Sequence, residues 1–312
     1  MQVGLRADLT AYLMQRSARR TARYGDDLYF AGTDLPEPEP ITVPTRHGPV
    51  HCEVYRPYSA DGSTRLPPAY AHLHGGAFVM RFPRMDDFFA RFVAAEAGAV
   101  VVNVDYDVAP QHRFPVAQHQ AHDVLGWIAE HGAEIGCDGE RMAVGGFSAG
   151  GNLAASACLQ ARDSGSCRPR LQVLGVPSLD VAEPSTAKRS THPHPMITTR
   201  LLELVRAVYF TDEAARATPY ASPLCAADLA GLPPAVVITG EHDVLRAEGD
   251  AYAERLAAAG VEVVHRVVSG ADHYFLDGDR TRARSLLDLI ATELRRRLAA
   301  VEPAGERETL ER

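Results

Sequence analysis

Short apolar segments of strand length alternate with helical patterns over most of this chain. The strand-like segments lie at 69–74, 99–106, 141–146, 171–176, 235–240 and 261–268. Apolar residues recur at helical spacing over 88–97, 117–131, 149–161, 247–259 and 280–298. The unbroken apolar run at 99–102 is typical of a strand buried on both faces. The alternation predicts an α/β fold with a mostly parallel central sheet flanked by helices, and functional residues at the carboxyl ends of the strands.

The 312 residues contain no internal repeat and no long low-complexity tract, so we expect a single domain over 1–312. Two segments fall outside the alternation. Residues 34–44 carry four prolines and are predicted to form an extended linker. Residues 184–195 are rich in Pro, Ser, Thr and His and are predicted to form a loop.

One serine follows a predicted strand in a glycine-rich turn. The strand at 141–146 leads into Gly146-Phe147-Ser148-Ala149-Gly150 and then into a helix. In a strand–turn–helix context, G-x-S-x-G holds a serine in a strained conformation with its hydroxyl exposed to substrate. Ser148 is therefore the candidate nucleophile, although the motif alone also fits a glycine-rich turn with an incidental serine.

A second glycine-rich turn follows the strand at 69–74. The sequence there is His74-Gly75-Gly76-Ala77-Phe78. Acyl transfer creates a negatively charged oxygen, which backbone N–H groups stabilise when no side chain blocks them. The N–H groups of Gly75, Gly76 and Ala77 are candidates for this oxyanion hole, together with that of Ala149. We expect the His74 ring to hold the loop in place rather than to act as a base.

The two remaining strand ends supply an acid and a base. Asp243 follows the strand at 235–240, and His273 follows the strand at 261–268. The order Ser148, Asp243, His273 is the one expected for a serine hydrolase of this strand–helix type. His273 would accept the proton from Ser148, and Asp243 would fix the tautomer of His273. Glu241 is a competing acid, because side chains two apart on an extended segment point the same way.

Composition excludes several classes of function. The chain has 32 basic and 40 acidic residues, so it carries no electrostatic signature of nucleic-acid or membrane binding. No apolar stretch reaches the length of a membrane-spanning helix, and the N-terminus lacks the apolar core of a signal peptide. The five cysteines show no metal-ligand or redox spacing. We therefore expect free thiols in the cytoplasm, no metal and no cofactor.

In combination, these motifs resemble the bacterial hormone-sensitive-lipase-like esterases of the α/β-hydrolase superfamily. The resemblance runs from about residue 41 to 298 and includes Asp243-Val244-Leu245-Arg246 and His273-Tyr274-Phe275. It implies an α/β-hydrolase fold with a helical cap formed by about 1–40 and 185–220. It assigns catalysis to Ser148, Asp243 and His273, and the oxyanion hole to Gly75–Ala77 and Ala149.

The chain departs from the family pattern near this site, including at residues 77, 107, 111 and 147. Ala77 replaces a third glycine, Phe147 replaces an aspartate, and Asp107 and Gln111 replace an arginine and a glutamate. The changes at 107, 111 and 147 alter charges around the site, so the resemblance implies the reaction type but no substrate preference.

The predicted function is hydrolysis of small or medium carboxylic esters through a covalent acyl-enzyme. Acyl transfer to an alcohol or amine uses the same three residues and stays open. A ligand-binding module that kept the fold and lost the chemistry is a third hypothesis, which the presence of all three residues disfavours. The expected partner is a small-molecule ester, and the resemblance alone suggests a homodimer.

Overall fold

An eight-stranded sheet forms the centre of the molecule. The computed structural model describes residues 2–21, 26–58 and 65–300. The strands within them are β1 (Glu39–Val43), β2 (Val50–Tyr55), β3 (Pro68–Leu73), β4 (Val100–Asp105), β5 (Asp138–Phe147), β6 (Gln172–Gly175), β7 (Ala235–Gly240) and β8 (Val263–Val268). They are ordered β1-β2-β4-β3-β5-β6-β7-β8. β2 is antiparallel to both neighbours, whereas β4, β3 and β5 to β8 are parallel. The prediction of a mostly parallel sheet is confirmed.

Helices cover both faces of the sheet. Within the same described residues they are α1 (Gln2–Thr21), α2 (Asp87–Ala97), α3 (Val116–His131), α4 (Ala149–Ser164), α5 (Thr199–Val208), α6 (Arg246–Ala258) and α7 (Arg280–Leu298). The apolar sides of α3, α4 and α6 belong to one buried cluster, and those of α2 and α7 belong to another. Parallel strands need helices on both faces, because their crossovers pack back onto the sheet.

The apolar run at 99–102 is part of a strand buried on both faces, as predicted. Val100 and Val102 of β4 belong to the cluster on one face, and Val101 belongs to the cluster on the other.

The prediction of an extended linker over 34–44 was wrong in its second half. Residues 39–43 form β1, which pairs with β2 at the edge of the sheet. An edge strand tolerates Pro40 because its missing N–H removes no obligatory ladder bond. β1 and β2 are five and six residues long, and each mixes apolar and polar residues. Neither strand therefore stands out in the sequence as an apolar run.

The predicted cap segments contain α1 and α5, which pack against each other. Ala11 of α1 is fully buried, while Leu5, Leu9 and Leu13 are 77%, 58% and 58% exposed. Residues 1, 22–25, 59–64 and 301–312, which the single-domain and cap predictions include, lie outside the described residues.

Two features of the described residues bear on other classes of function. None of the helices they form is both long and apolar enough to cross a membrane. No group of three or more His, Cys, Asp or Glu side chains among them is placed to hold a metal ion.

Candidate active site

Ser148 lies between the end of β5 and the start of α4. Its backbone has φ 55° and ψ −113°, a conformation that a residue with a side chain adopts only under strain. The Ser148 N–H donates to the Gly175 carbonyl oxygen at 2.8 Å, which ties the turn to the end of β6. The turn therefore has the strand–turn–helix geometry that presents a nucleophilic hydroxyl.

The glycines on either side of Ser148 are required by the neighbouring strand. A Cβ atom added at Gly146 or at Gly150 would overlap the carbonyl oxygen of Leu73, the last residue of β3. The carboxyl end of β3 therefore lies directly against the Ser148 turn. This contact brings the loop that follows β3 next to the candidate nucleophile: the Cβ position of Gly75 lies 3.8 Å from the Ser148 Cβ.

Asp243 and His273 form a buried pair. Asp243 Oδ2 lies 2.8 Å from His273 Nδ1, and Asp243 Oδ1 accepts a hydrogen bond from the Leu245 N–H at 3.0 Å. Asp243 is 3% exposed and His273 4% exposed. With the Nδ1 hydrogen directed at the carboxylate, the Nε2 atom of His273 is left as the acceptor for a proton.

Glu241 serves a different contact. Its Oε2 accepts hydrogen bonds from the Ser269 hydroxyl at 2.8 Å and from the Gly270 N–H at 2.7 Å. These two donors lower the pKa of Glu241, because they stabilise its charged form. Glu241 thus holds the loop between β8 and His273, whereas Asp243 contacts the imidazole itself.

The loop after β3 bends sharply at Gly76. The Gly76 carbonyl accepts hydrogen bonds from Val79 N–H at 3.0 Å and from Met80 N–H at 2.9 Å. Ala77 and Phe78 have φ values of 55° and 57°. Across residues 65–300, no acceptor is found for the N–H of Gly76 or Ala77. These donors stay available to a ligand, as does that of Ala149 in the first turn of α4.

His74 and Tyr106 support this loop from below. His74 Nδ1 lies 2.6 Å from the Gly75 carbonyl oxygen, and the Tyr106 hydroxyl donates to the His74 carbonyl oxygen at 2.7 Å. The two rings stack with centroids 4.3 Å apart. Burial lowers the pKa of His74, because it disfavours the charged imidazole. A neutral, stacked and hydrogen-bonded ring fits the expected role of holding the loop.

Strained backbone concentrates at this site. In the described part of the chain, four residues other than glycine have positive φ, namely Ala77, Phe78, Ser148 and Val176. All four line the clefts around Ser148. Such conformations cost about 1–3 kcal/mol each and persist only where the surroundings fix them, which is typical of functional sites.

Two clefts meet at Ser148. The first, of about 490 Å³, runs between Ser148 and α5 and is lined by apolar residues such as Ile197, Leu201 and Val205. The second, of about 680 Å³, contains His273. Four methionines line this second cleft: Met14, Met80, Met85 and Met196.

Comparison with known proteins places the chain among hydrolases. A family model described as the alpha/beta hydrolase fold matches residues 70–277. The arylesterase of Saccharolobus solfataricus is 36% identical over 212 residues, 67% of this chain and 69% of the relative. The ethyl acetate hydrolase of Pseudomonas putida is 33% identical over 83% of this chain and 82% of its own length.

A solved structure extends the likeness to the whole fold. The esterase of Pyrobaculum calidifontis matches with a TM-score of 0.77 and 34% identity, over 95% of this chain and 92% of the other. The chain belongs to the hormone-sensitive-lipase-like esterases of the α/β-hydrolase superfamily. The predicted family and the predicted α/β-hydrolase fold are thereby confirmed.

The esterase contains a buried ion pair that the sequence analysis did not identify. Lys188, the chain's one lysine, donates to Glu248 Oε2 at 2.6 Å, and both side chains are about 95% buried. Glu248 lies in the first turn of α6, a position that gives no sign of burial from sequence alone. The pairing residue lies 60 positions away in a loop, so no local pattern reveals it.

A second missed residue is Asp272, directly before His273. Its Oδ2 accepts a hydrogen bond from the Met196 N–H at 2.7 Å. Met196 and the adjacent Ile197 line the clefts of the esterase. The contact thus ties the cleft wall to the loop that carries the candidate base.

Proposed function

We propose that this chain hydrolyses carboxylic esters with small or medium acyl groups, through a covalent acyl-enzyme on Ser148. The observation that carries the proposal is the buried Asp243–His273 pair, in which Asp243 Oδ2 lies 2.8 Å from His273 Nδ1. His273 and Ser148 line the same cleft. The esterase names of the relatives support the reaction class.

The first chemical step forms a bond between Ser148 Oγ and the ester carbonyl carbon. His273 Nε2 accepts the hydroxyl proton, and Asp243 stabilises the resulting imidazolium. The carbonyl oxygen becomes an oxyanion that accepts hydrogen bonds from the N–H groups of Gly75–Ala77 and Ala149. The positive end of the α4 dipole adds a favourable field for this negative charge.

The acyl-enzyme forms when the bond from carbon to the alkoxy oxygen breaks. The departing alcohol takes its proton from His273, and a water molecule then repeats the sequence to release the acid. Because His273 lines the second cleft, the alcohol part of the ester belongs there. The acyl part then belongs in the first cleft, beneath α5.

We also propose that about residues 1–40, which include α1, and the segment 185–220 act as a cap over these clefts. Met14 of α1 lines the second cleft, while Leu201 and Val205 of α5 line the first. Since α1 and α5 pack against each other, the two parts can cover the site as one unit.

The compartment and assembly state complete the proposal. All five cysteines are free, and four of them are buried, which fits a reducing cytoplasm.

A homodimer, suggested by the family resemblance, would cover the exposed Leu5, Leu9 and Leu13 of α1. Light scattering should give the mass of two chains, and of one chain for Leu9→Asp. A monomeric native protein would contradict the dimer.

The decisive experiment compares the native chain with Ser148→Ala on p-nitrophenyl butyrate. The variant should lose at least about 10⁴-fold in kcat while its circular dichroism spectrum stays unchanged. A phosphonate ester probe should add one phosphonyl group to the native protein and none to the variant. Near-normal turnover by a folded Ser148→Ala protein would refute the assignment. Added alcohol acceptors, with products separated by chromatography, distinguish hydrolysis from acyl transfer.

A further inference from the structure

The first cleft contains polar groups beside its apolar wall. We define the polar cluster as Asp180, Glu183, Ser185, Lys188 and Arg206, all of which line this cleft together with Ser148. Hydrogen bonds hold the cluster together. Lys188 donates to the Asp180 carbonyl oxygen at 2.5 Å, and Arg206 donates to that of Glu183 at 2.8 Å. A cleft that served only alkyl chains would need none of these groups.

The Ser185 hydroxyl is buried without a hydrogen-bond partner in the described residues. Its residue is 5% exposed, and no protein atom there is within hydrogen-bonding geometry of Oγ. A buried hydroxyl left unpaired costs about 1–3 kcal/mol, so such groups in folded proteins normally have a partner. Because Ser185 lines the cleft, a bound substrate can supply that partner.

Lys188 has donor capacity left over as well. An ammonium group carries three N–H donors and no acceptor. The described residues provide two acceptors, Glu248 Oε2 at 2.6 Å and the Asp180 carbonyl oxygen at 2.5 Å. The third hydrogen has no protein acceptor among them, and the residue lines the cleft. Ser185 and Lys188, three positions apart, are thus two donors without a full set of partners in the same cleft.

The charges of the cluster restrict what these donors accept. The carboxylates of Asp180 and Glu183 line the same cleft and would repel an anionic group. Lys188 and Arg206 would repel a cationic one, and since the two carboxylates and two cations balance, neither sign of charge gains a net attraction. A neutral oxygen acceptor meets neither penalty.

We propose that Ser185 Oγ and Lys188 Nζ recognise a neutral hydrogen-bond acceptor carried by the acyl chain of the substrate, such as a ketone, hydroxyl or ester oxygen. The inference rests on the proposed function, since it assigns the acyl group to the cleft beneath α5. The preferred substrates are esters of oxygenated acids rather than plain alkyl acids. The apolar wall at Leu201 and Val205 holds the carbon chain, and the two donors select its oxygen.

The test uses matched pairs of p-nitrophenyl esters. Each pair joins an oxo acid of five to eight carbons, with the ketone next to the terminal methyl group, to the alkyl acid of equal length. At one length, the oxo ester should exceed its alkyl partner about 5- to 10-fold in kcat/KM, mainly through a lower KM. The ratio within each pair is the readout, because it cancels any general loss of turnover.

Two variants and one control assign the preference. Ser185→Ala should reduce the oxo-to-alkyl ratio toward one, and Lys188→Met should do the same through the second donor. Thr186→Ala removes an exposed hydroxyl of the same segment that does not line the cleft, and it should keep the native ratio.

The outcomes separate this inference from the proposed function. Normal turnover of alkyl esters with no oxo preference at any length would overturn the inference alone. A native preference that survives in both Ser185→Ala and Lys188→Met would also overturn it. A preference for half-esters of dicarboxylic acids, which carry an anionic end, would contradict the neutral acceptor. Failure of the native protein to hydrolyse either series would overturn the inference and the proposed function together.

Discussion

Replacing the two neighbouring carboxylates one at a time tests how the base is oriented. Asp243→Asn keeps the size of the side chain and replaces one oxygen by an amide NH₂ group. At 2.8 Å from His273 Nδ1, that group would donate to the ring instead of accepting from it. The imidazole would then carry its hydrogen on Nε2 and could not take the proton of Ser148.

The expected loss of kcat in Asp243→Asn follows from the change of the His273 tautomer. Loss of the correct tautomer in a triad of this type lowers kcat about 10⁴-fold, which is about 5 kcal/mol of transition-state stabilisation. Asp243 lines neither cleft, so KM should change little. Glu241→Gln removes a charge from the contacts with Ser269 and Gly270, while its amide oxygen can still accept. We expect less than about a ten-fold change in kcat for that variant.

The assay measures kcat and KM on p-nitrophenyl butyrate, with active sites counted by the initial burst. Circular dichroism and thermal unfolding check that both variants fold. A severe loss in Glu241→Gln beside a near-normal Asp243→Asn would refute the reasoning. Equal losses of kcat in the two variants would show that turnover depends on the conformation of the whole loop and not on the individual hydrogen bond to the imidazole.

Three further perturbations probe the surroundings of the site. Gly150→Ala should destabilise the fold by about 1–3 kcal/mol through overlap with the end of β3, whereas Gly126→Ala, with open space around its Cβ position, should not; equal melting temperatures would contradict this. Burial raises the pKa of Glu248 from 4.5 to about 7, so the folded state retains a proton that the unfolded state releases. The unfolding free energy of the native chain should therefore fall by about 3 kcal/mol from pH 4.5 to 7 relative to Glu248→Gln, and a constant difference in denaturant titrations would argue against it. Asp272→Ala should raise KM by about 3- to 10-fold, because it frees the Met196 segment of the cleft wall, and an unchanged KM would show that the contact positions nothing.

The parts of the site that are contiguous in sequence could be predicted from it. The Ser148 turn is encoded by five adjacent residues, because the glycine positions, the preceding apolar strand and the following helix are all local features. The same holds for the turn at Gly75–Ala77. Parallel strands end at one edge of the sheet, so the sequence order also predicted which segments would meet.

The choice between Asp243 and Glu241 shows the limit of what the local sequence can predict. Both residues follow the same strand with a spacing of two, which in extended chain places them on one side. β7 ends at Gly240, and the turn that follows breaks this alternation. One carboxylate then contacts His273 and the other contacts Gly270. The motif resemblance favoured Asp243, but only the tertiary structure shows which of the two carboxylates contacts the imidazole.

Long-range pairs depend entirely on the tertiary structure. The sequence of this chain determined the alternation of strands and helices, the serine turn and the order of the candidate residues, since each depends on neighbours within a few positions. Only the folded chain brings Lys188 to Glu248, Met196 to Asp272 and Ser185 into the first cleft. The partners in the two hydrogen-bonded pairs lie 60 and 76 positions apart, and in each pair at least one residue lies in a loop without periodicity, so no local pattern links them.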